Sequence, residues 1–106
     1  MPYFTVFTST YNRGYTLFRL YESLKNQGTT DFEWLIVNDG STDNTHQLVE
    51  EWIRKEKEFS IRYLEKENGG KLRAINYGIR YARVKFFFMV DSDDFLLPNA
   101  LSEMKN

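Results

Sequence analysis

Apolar residues fall along the chain in two alternating rhythms, short unbroken runs and longer amphipathic stretches. Tyr3 to Phe7 predicts a first strand. From Tyr15 to Gln27, Leu17, Leu20, Tyr21 and Leu24 recur at helical spacing, and Gly28 supplies the stop. Phe32 to Val37 predicts a second strand, followed by a turn, Asn38-Asp39-Gly40-Ser41-Thr42, that offers N-cap residues. Asp43 to Phe59 carries Leu48, Val49, Trp52 and Ile53 on one helical face. Ile61 to Leu64 is a third, weaker strand, and Asn68-Gly69-Gly70 a loop. Leu72 to Tyr81 predicts a helix, with Leu72, Ile75, Ile79 and Ala82 near one face. Phe86 to Val90 is almost wholly apolar, as a strand covered on both faces must be. Pro98 fits the first turn of a short last helix, where its missing N–H costs nothing. The alternation predicts an α/β fold: a Rossmann-like, mainly parallel sheet with right-handed crossovers and helices on both faces.

Composition narrows the function. With 106 residues the chain is expected to be a single domain, 1–106, large enough to bury a core. Fourteen Lys and Arg against fifteen Asp and Glu leave a net charge of -1, without the basic footprint of a nucleic-acid binder. The absence of cysteine excludes disulfides, zinc–thiolate sites and thiol nucleophiles. No run approaches the roughly 18 apolar residues of a membrane span, and the N-terminus does not read as a signal peptide. A cytoplasmic location, soluble or peripheral to the membrane, is the expectation.

In parallel sheets ligands bind beyond the carboxyl ends of the strands, and there the chemistry collects. The four strands are followed by Thr8-Ser9-Thr10-Tyr11-Asn12-Arg13, Asn38-Asp39-Gly40-Ser41, Glu67-Asn68-Gly69-Gly70-Lys71 and Asp91-Ser92-Asp93-Asp94. Three acids in four residues repel one another, and carboxylates are hard ligands suited to Mg²⁺ or Mn²⁺. Such a string is short, however, and serves equally as a turn. Asp39 at a strand tip can accept a hydrogen bond from a ligand N–H while Ser41, Thr42 or Asp43 caps the next helix. The Asn68-Gly69-Gly70-Lys71 loop is a turn or a close backbone approach to a ligand, with Lys71 and Arg73 toward phosphate. It is neither a Walker A loop nor a dinucleotide fingerprint. Tyr11 either stacks on a flat ring or folds back on the core. His46 reads as a surface residue, Glu50 with Arg54 as a solvated helical pair, and Trp34, Trp52 and Phe86 to Phe88 as core.

In order and spacing these motifs resemble the N-terminal, nucleotide-binding half of a GT-A glycosyltransferase of family 2. Phe4 to Arg13 is similar to that family's opening strand and T-Y-N-R loop. Asp31 to Thr45 is close to its D-F-E-x-x-x-V-D-D-G-S-T-D-x-T segment, with Asn38 in place of the first Asp of D-D. Asn68-Gly69-Gly70-Lys71 with Ala74, Asn76 and Gly78 matches N-x-G-x-x-x-A-x-N-x-G, and Asp91-Ser92-Asp93-Asp94 the D-x-D-D segment. The resemblance implies a donor site for a nucleotide diphosphate sugar, with transfer to a hydroxyl acceptor on a polysaccharide, lipid or protein, by an inverting route. Ser9 and Tyr11 would border base and ribose, and Asp39 would bond the base N–H, typically of uracil. Lys71 would lie near the nucleotide, Asp91 near ribose and diphosphate. Asp93 would hold the Mg²⁺ or Mn²⁺ that bridges the diphosphate. The catalytic base, a carboxylate, is expected beyond residue 106, so the chain reads as truncated. An uncovered apolar surface is then expected to promote self-association. Two other readings are a non-catalytic nucleotide-binding or scaffold module and a Mg²⁺-dependent phospho-acceptor domain. The second lacks a matching Lys after a fifth strand.

Overall fold

A computed structural model describes residues 4–12, 14–67, 86–90 and 96–105. Four strands, β1 (Phe4–Thr10), β2 (Phe32–Asn38), β3 (Ser60–Glu65) and β4 (Phe86–Met89), form one sheet in the order β3-β2-β1-β4. Every neighbouring pair is parallel. The helices are α1 (Gly14–Leu24), α2 (Thr45–Lys55) and α3 (Ala100–Lys105). The chain steps outward from β1 to β2 to β3 and then returns to the other side of β1, so the strand order reverses at β1. Sheets of this kind take ligands beside such a reversal, at the carboxyl ends of the strands.

Strand alternation splits the core between the two faces of the sheet. On one face Val6, Trp34 and Ile36 pack with Leu17, Leu20 and Tyr21 of α1, Val49 and Trp52 of α2 and Leu101 of α3. Tyr21, Trp34 and Trp52 form a three-ring cluster, with Tyr21 6.0 Å from Trp34 and 4.7 Å from Trp52, and the two tryptophans 6.0 Å apart. Phe7, Leu35 and Val37 form the cluster on the other face. β2 is buried along its whole length, as the central position predicts, whereas β3 is half-exposed. The helix expected over 72–81 lies outside the described residues.

Several boundaries differ from the pattern-based expectation. β1 continues through Thr8, Ser9 and Thr10, because these residues pair with Ile36, Val37 and Asn38 to the end of β2. α1 ends at Leu24, with i→i−3 bonds from Lys25 and Asn26 N–H tightening its last turn. Gly28 follows at φ +72°, and a Cβ there would sit 2.4 Å from Asn99 Oδ1. α2 stops at Lys55, where Glu56 turns extended, so Phe59 reaches the core from the connection instead of from the helix. Ile53, expected on the buried face, is 37% exposed. Pro98 lies in the turn before α3 instead of in its first turn. The predicted Glu50–Arg54 pair is replaced by Glu51 with Lys55 and His46 with Glu50.

Candidate functional site

The register brings three strands to a common edge. Thr10 pairs with Asn38 and Asn38 with Glu65, so β1, β2 and β3 end level. The ladder runs one step further, Asp39 N–H donating to Thr10 O at 2.8 Å and Lys66 N–H to Asn38 O at 3.0 Å. Asp39 and Lys66 thereby become lateral neighbours, and Lys66 Nζ lies 2.7 Å from Asp39 Oδ1. The pair is almost enclosed, with side-chain exposures of 7% for Asp39 and 15% for Lys66. A carboxylate buried this deeply requires a counter-ion. Lys66 Nζ also donates to Glu67 O at 2.6 Å.

The loops after β1 and β2 lock together. Asn12, in the left-handed region at φ +52°, directs its Oδ1 to the N–H groups of Thr42 at 2.7 Å and Asp43 at 3.2 Å. Its own N–H donates to Ser41 Oγ at 2.9 Å. Asparagine tolerates that backbone better than most residues. Gly40 supplies the positive φ, +80°, that turns the second loop. Asp43 Oδ1 accepts from Thr45 N–H and the Thr45 hydroxyl, while Oδ2 accepts from Gly14 N–H at 3.3 Å. Burial opposes ionisation of Asp43, but these hydrogen bonds outweigh it and hold the carboxyl below its ordinary range. None of the three cap candidates is the N-cap of α2, which is Asn44 without a side-chain cap hydrogen bond; Asp43 instead ties Thr45, the first residue of α2, to Gly14 at the start of α1. Gly14 leaves little room where α1 begins, since a Cβ would meet Leu48 Cδ1 at 3.1 Å and Thr45 Oγ1 at 3.2 Å.

Asn38 shows what an amide accomplishes where a carboxylate was expected. Its Oδ1 accepts from Ser41 N–H at 2.9 Å, and its Nδ2 donates to Tyr63 Oη at 2.7 Å. Tyr63 in turn donates to Glu65 Oε2 at 3.2 Å, and His46 Nδ1 lies 3.3 Å from the same oxygen. A carboxylate at position 38 could not donate to the phenol. Burial, aided by the charge of Glu65, pushes the Tyr63 hydroxyl up to about 12, against the Asn38 hydrogen bond, which pulls it down.

Among the residues singled out from sequence, Ser9, Tyr11 and Asp39 stand at this edge. Ser9 is the penultimate residue of β1 and partly buried. Tyr11 is 46% exposed, so of its two readings the ring does not fold back on the core. Lys71, Asp91 and Asp93 lie outside the described residues. β4 ends just before the acidic cluster, and Val90 N–H donates to Phe7 O at 2.9 Å on β1. No group of three metal-ligating side chains occurs among the described residues. Sequence reasoning missed Lys66 and Asn12. Asn12 is quoted within the T-Y-N-R loop, but its partners lie about thirty residues on. A groove of about 930 Å³ opens at the opposite, amino end of the strands, lined by residues such as Thr29, Asp31, Lys55 and Phe59. It contains none of these groups.

Known proteins resemble the chain over nearly its whole length. The model of glycosyl transferase family 2 matches residues 5–106. An uncharacterised glycosyltransferase of Mycoplasma pneumoniae is 40% identical over 105 residues, covering 95% of this chain and 34% of its own length. Staphylococcus aureus TarS 1–349, solved in complex with UDP-GlcNAc, superposes with a TM-score of 0.88 at 32% identity, over 97% of this chain and 30% of that one. A mannosyltransferase of Pyrobaculum calidifontis, solved with GDP-Man and Mn²⁺, gives 0.85 at 25% identity, over 92% and 29%. The chain therefore spans about a third of the length of these relatives.

Proposed function

The chain belongs to glycosyl transferase family 2, and on that premise we propose that it forms the donor-binding part of an enzyme that transfers a sugar from a nucleotide diphosphate sugar, UDP-linked, to a hydroxyl acceptor with inversion. The observation that carries this reading is Asp39: a buried carboxylate at the tip of the central strand, held by Lys66 and flanked by the interlocked loops after β1 and β2. An ionised carboxylate accepts hydrogen bonds only, which suits a base N–H. Tyr11, exposed beside it, offers a ring face to the base or ribose, and Ser9 lines the strand end. The ligands of two structural neighbours, UDP-GlcNAc and GDP-Man, are of the proposed class.

The described residues also bear on where a metal would sit. Asp39 already faces an ammonium, so a divalent cation is electrostatically disfavoured at this end of the site. Asp93 is the ligand proposed for Mg²⁺ or Mn²⁺, with Asp91 toward ribose and diphosphate and Lys71 near the nucleotide. When bound, the ion would act as a Lewis acid for the leaving nucleoside diphosphate. The acceptor, a polysaccharide, lipid or protein hydroxyl, and the base that deprotonates it are assigned to the remainder of the enzyme. No described helix is long and apolar enough to cross a membrane. A cytoplasmic setting, peripheral to the membrane, suits a donor made there. Exposed Met89 and Leu97 support self-association, which sedimentation over a concentration series would reveal as a rising mean mass.

The test is a calorimetric titration of UDP into the folded chain, with and without Mn²⁺. Binding at micromolar to low-millimolar strength, tightened by the metal, is expected. A folded chain that binds neither UDP nor GDP, CDP or dTDP would overturn the reading.

A further inference from the structure

Gln27, just beyond α1, is polar and yet wholly buried. A leucine there would bury apolar surface without needing partners. The hydrogen bonds that its amide makes among the described residues all go to main chain. Nε2 donates to Ser23 O at 2.8 Å and to Leu97 O at 3.0 Å, and Oε1 accepts from Leu101 N–H at 2.9 Å. Further contacts join the same two segments. Ser23 Oγ accepts from Leu96 N–H at 3.1 Å and Asn26 O from Asn99 N–H at 2.9 Å. Gly28 lies so close to Asn99 that a Cβ would sit 2.4 Å from its Oδ1. The end of α1 thus grips the main chain over 96–101, with Gln27 and Leu97 70 residues apart in sequence.

The gripped stretch follows shortly after Asp91-Ser92-Asp93-Asp94. On the near side of that segment, Val90 N–H is fixed to Phe7 O of β1 at 2.9 Å. On the far side, Leu96 is fixed by Ser23. Three carboxylates in four residues repel one another, so anchors on either side must hold the chain there. The same carboxylates are the hard oxygen donors that Mg²⁺ or Mn²⁺ takes. We propose that Gln27 is a positioning residue of the donor site. By tying Leu97 and Leu101 to the end of α1, it fixes where the main chain leaves the acidic segment, and thereby how tightly the diphosphate of the nucleotide and its metal are held. The proposal rests on the nucleotide-sugar reading above and adds a residue that touches neither nucleotide nor metal. An amide is required because it donates and accepts at once. A methionine at this position would leave Leu97 O and Leu101 N–H without this partner.

The experiment titrates UDP by calorimetry, with and without Mn²⁺, into the wild-type chain, Gln27→Met and Gln27→Glu, each first shown to be folded by circular dichroism. The readout is the ratio of the two affinities. A purely structural loss does not move it, because both are measured on the same folded chain. Gln27→Met should lose about tenfold of the Mn²⁺ tightening, the low end for disturbing groups that orient the ligands of a metal. Its metal-free affinity should stay within about twofold of wild type. Gln27→Glu, driven neutral by burial, keeps an acceptor and one donor and should recover part of the tightening. A folded Gln27→Met chain with the wild-type ratio overturns the assignment. A wild type that binds no nucleotide removes the nucleotide reading, and one that binds UDP equally with and without Mn²⁺ removes the metal reading. Either takes the role of Gln27 with it, but shows in the wild type and so is distinct from a failure at Gln27. If Gln27→Met does not fold, Ser23→Ala removes the acceptor for Leu96 N–H instead. It should lower the tightening about threefold, and an unchanged ratio would overturn the assignment.

Discussion

Two buried carboxylates, Glu33 within β2 and Asp39 just past its end, are each paired with a cation, Arg62 within β3 and Lys66 just past its end, and they are put to different uses. Glu33, near the amino end of the strand, is fully enclosed. Its Oε1 meets Arg62 Nη1 at 3.0 Å and its Oε2 accepts from the Thr5 hydroxyl at 3.0 Å. Both oxygens are tied sideways to neighbouring strands. Asp39, beyond the carboxyl end, meets a lysine where the ladder gives way to loops. The planar guanidinium suits a fixed bracing role, whereas an ammonium keeps a compact, rotatable donor. Two ion pairs of similar burial thus differ in what surrounds them: sheet on both sides in one case, a loop edge in the other.

The comparison can be broken most forcefully at Glu33. Glu33→Ala should destabilise the chain by about 3 kcal/mol, the low end for breaking a buried pair, because Arg62 keeps 22% of its side chain exposed. Thermal denaturation would report it as a fall in Tm, and a loss below about 1 kcal/mol would remove the bracing role. Asp39→Ala should instead weaken UDP binding by about 1–3 kcal/mol while leaving binding of the diphosphate moiety alone unchanged. Equal losses for all bases by calorimetry would contradict base recognition. Tyr63→Phe removes the hydroxyl that links Asn38 to Glu65, for an expected loss of about 1 kcal/mol in urea denaturation.

The smallest effect is one of pH. Because the Asp43 carboxyl is held below its ordinary value, its contribution is complete at neutral pH and is lost as pH falls from that value through the lower, folded one. The group is solvent-exposed, so the contribution is small, about 0.5 kcal/mol. The stability gap between wild type and Asp43→Asn at pH 7 should close in strong acid, and a gap that widens on acidification would reverse the assignment.

Much of this was legible in the sequence. Asp39 could be read as a strand tip, because the apolar run before it stops at Val37 and the polar turn begins at once. The surplus length of β1 was hidden, since Thr8, Ser9 and Thr10 carry no apolar pattern and become strand only by pairing with β2. Ile53 shows the converse: it has the right spacing for the buried face of α2, yet it is exposed because the face that meets the sheet is narrower than the apolar stripe. Asn38 broke the expected acidic pair, and only Tyr63, 25 residues on, explains what its amide does.

By itself the sequence determined the alternation of strands and helices, the parallel α/β architecture that follows from it, and the collection of polar loops at one edge. These depend on periodicity and connection length, which are local properties. The tertiary structure alone decided that Lys66, 27 residues from Asp39, is the cation that meets it, and that Asn12 closes on Thr42 and Asp43. Such partnerships depend on the register between strands. Burial of one set of alternating side chains holds that register, because a slip of one residue would turn each side chain to the opposite face.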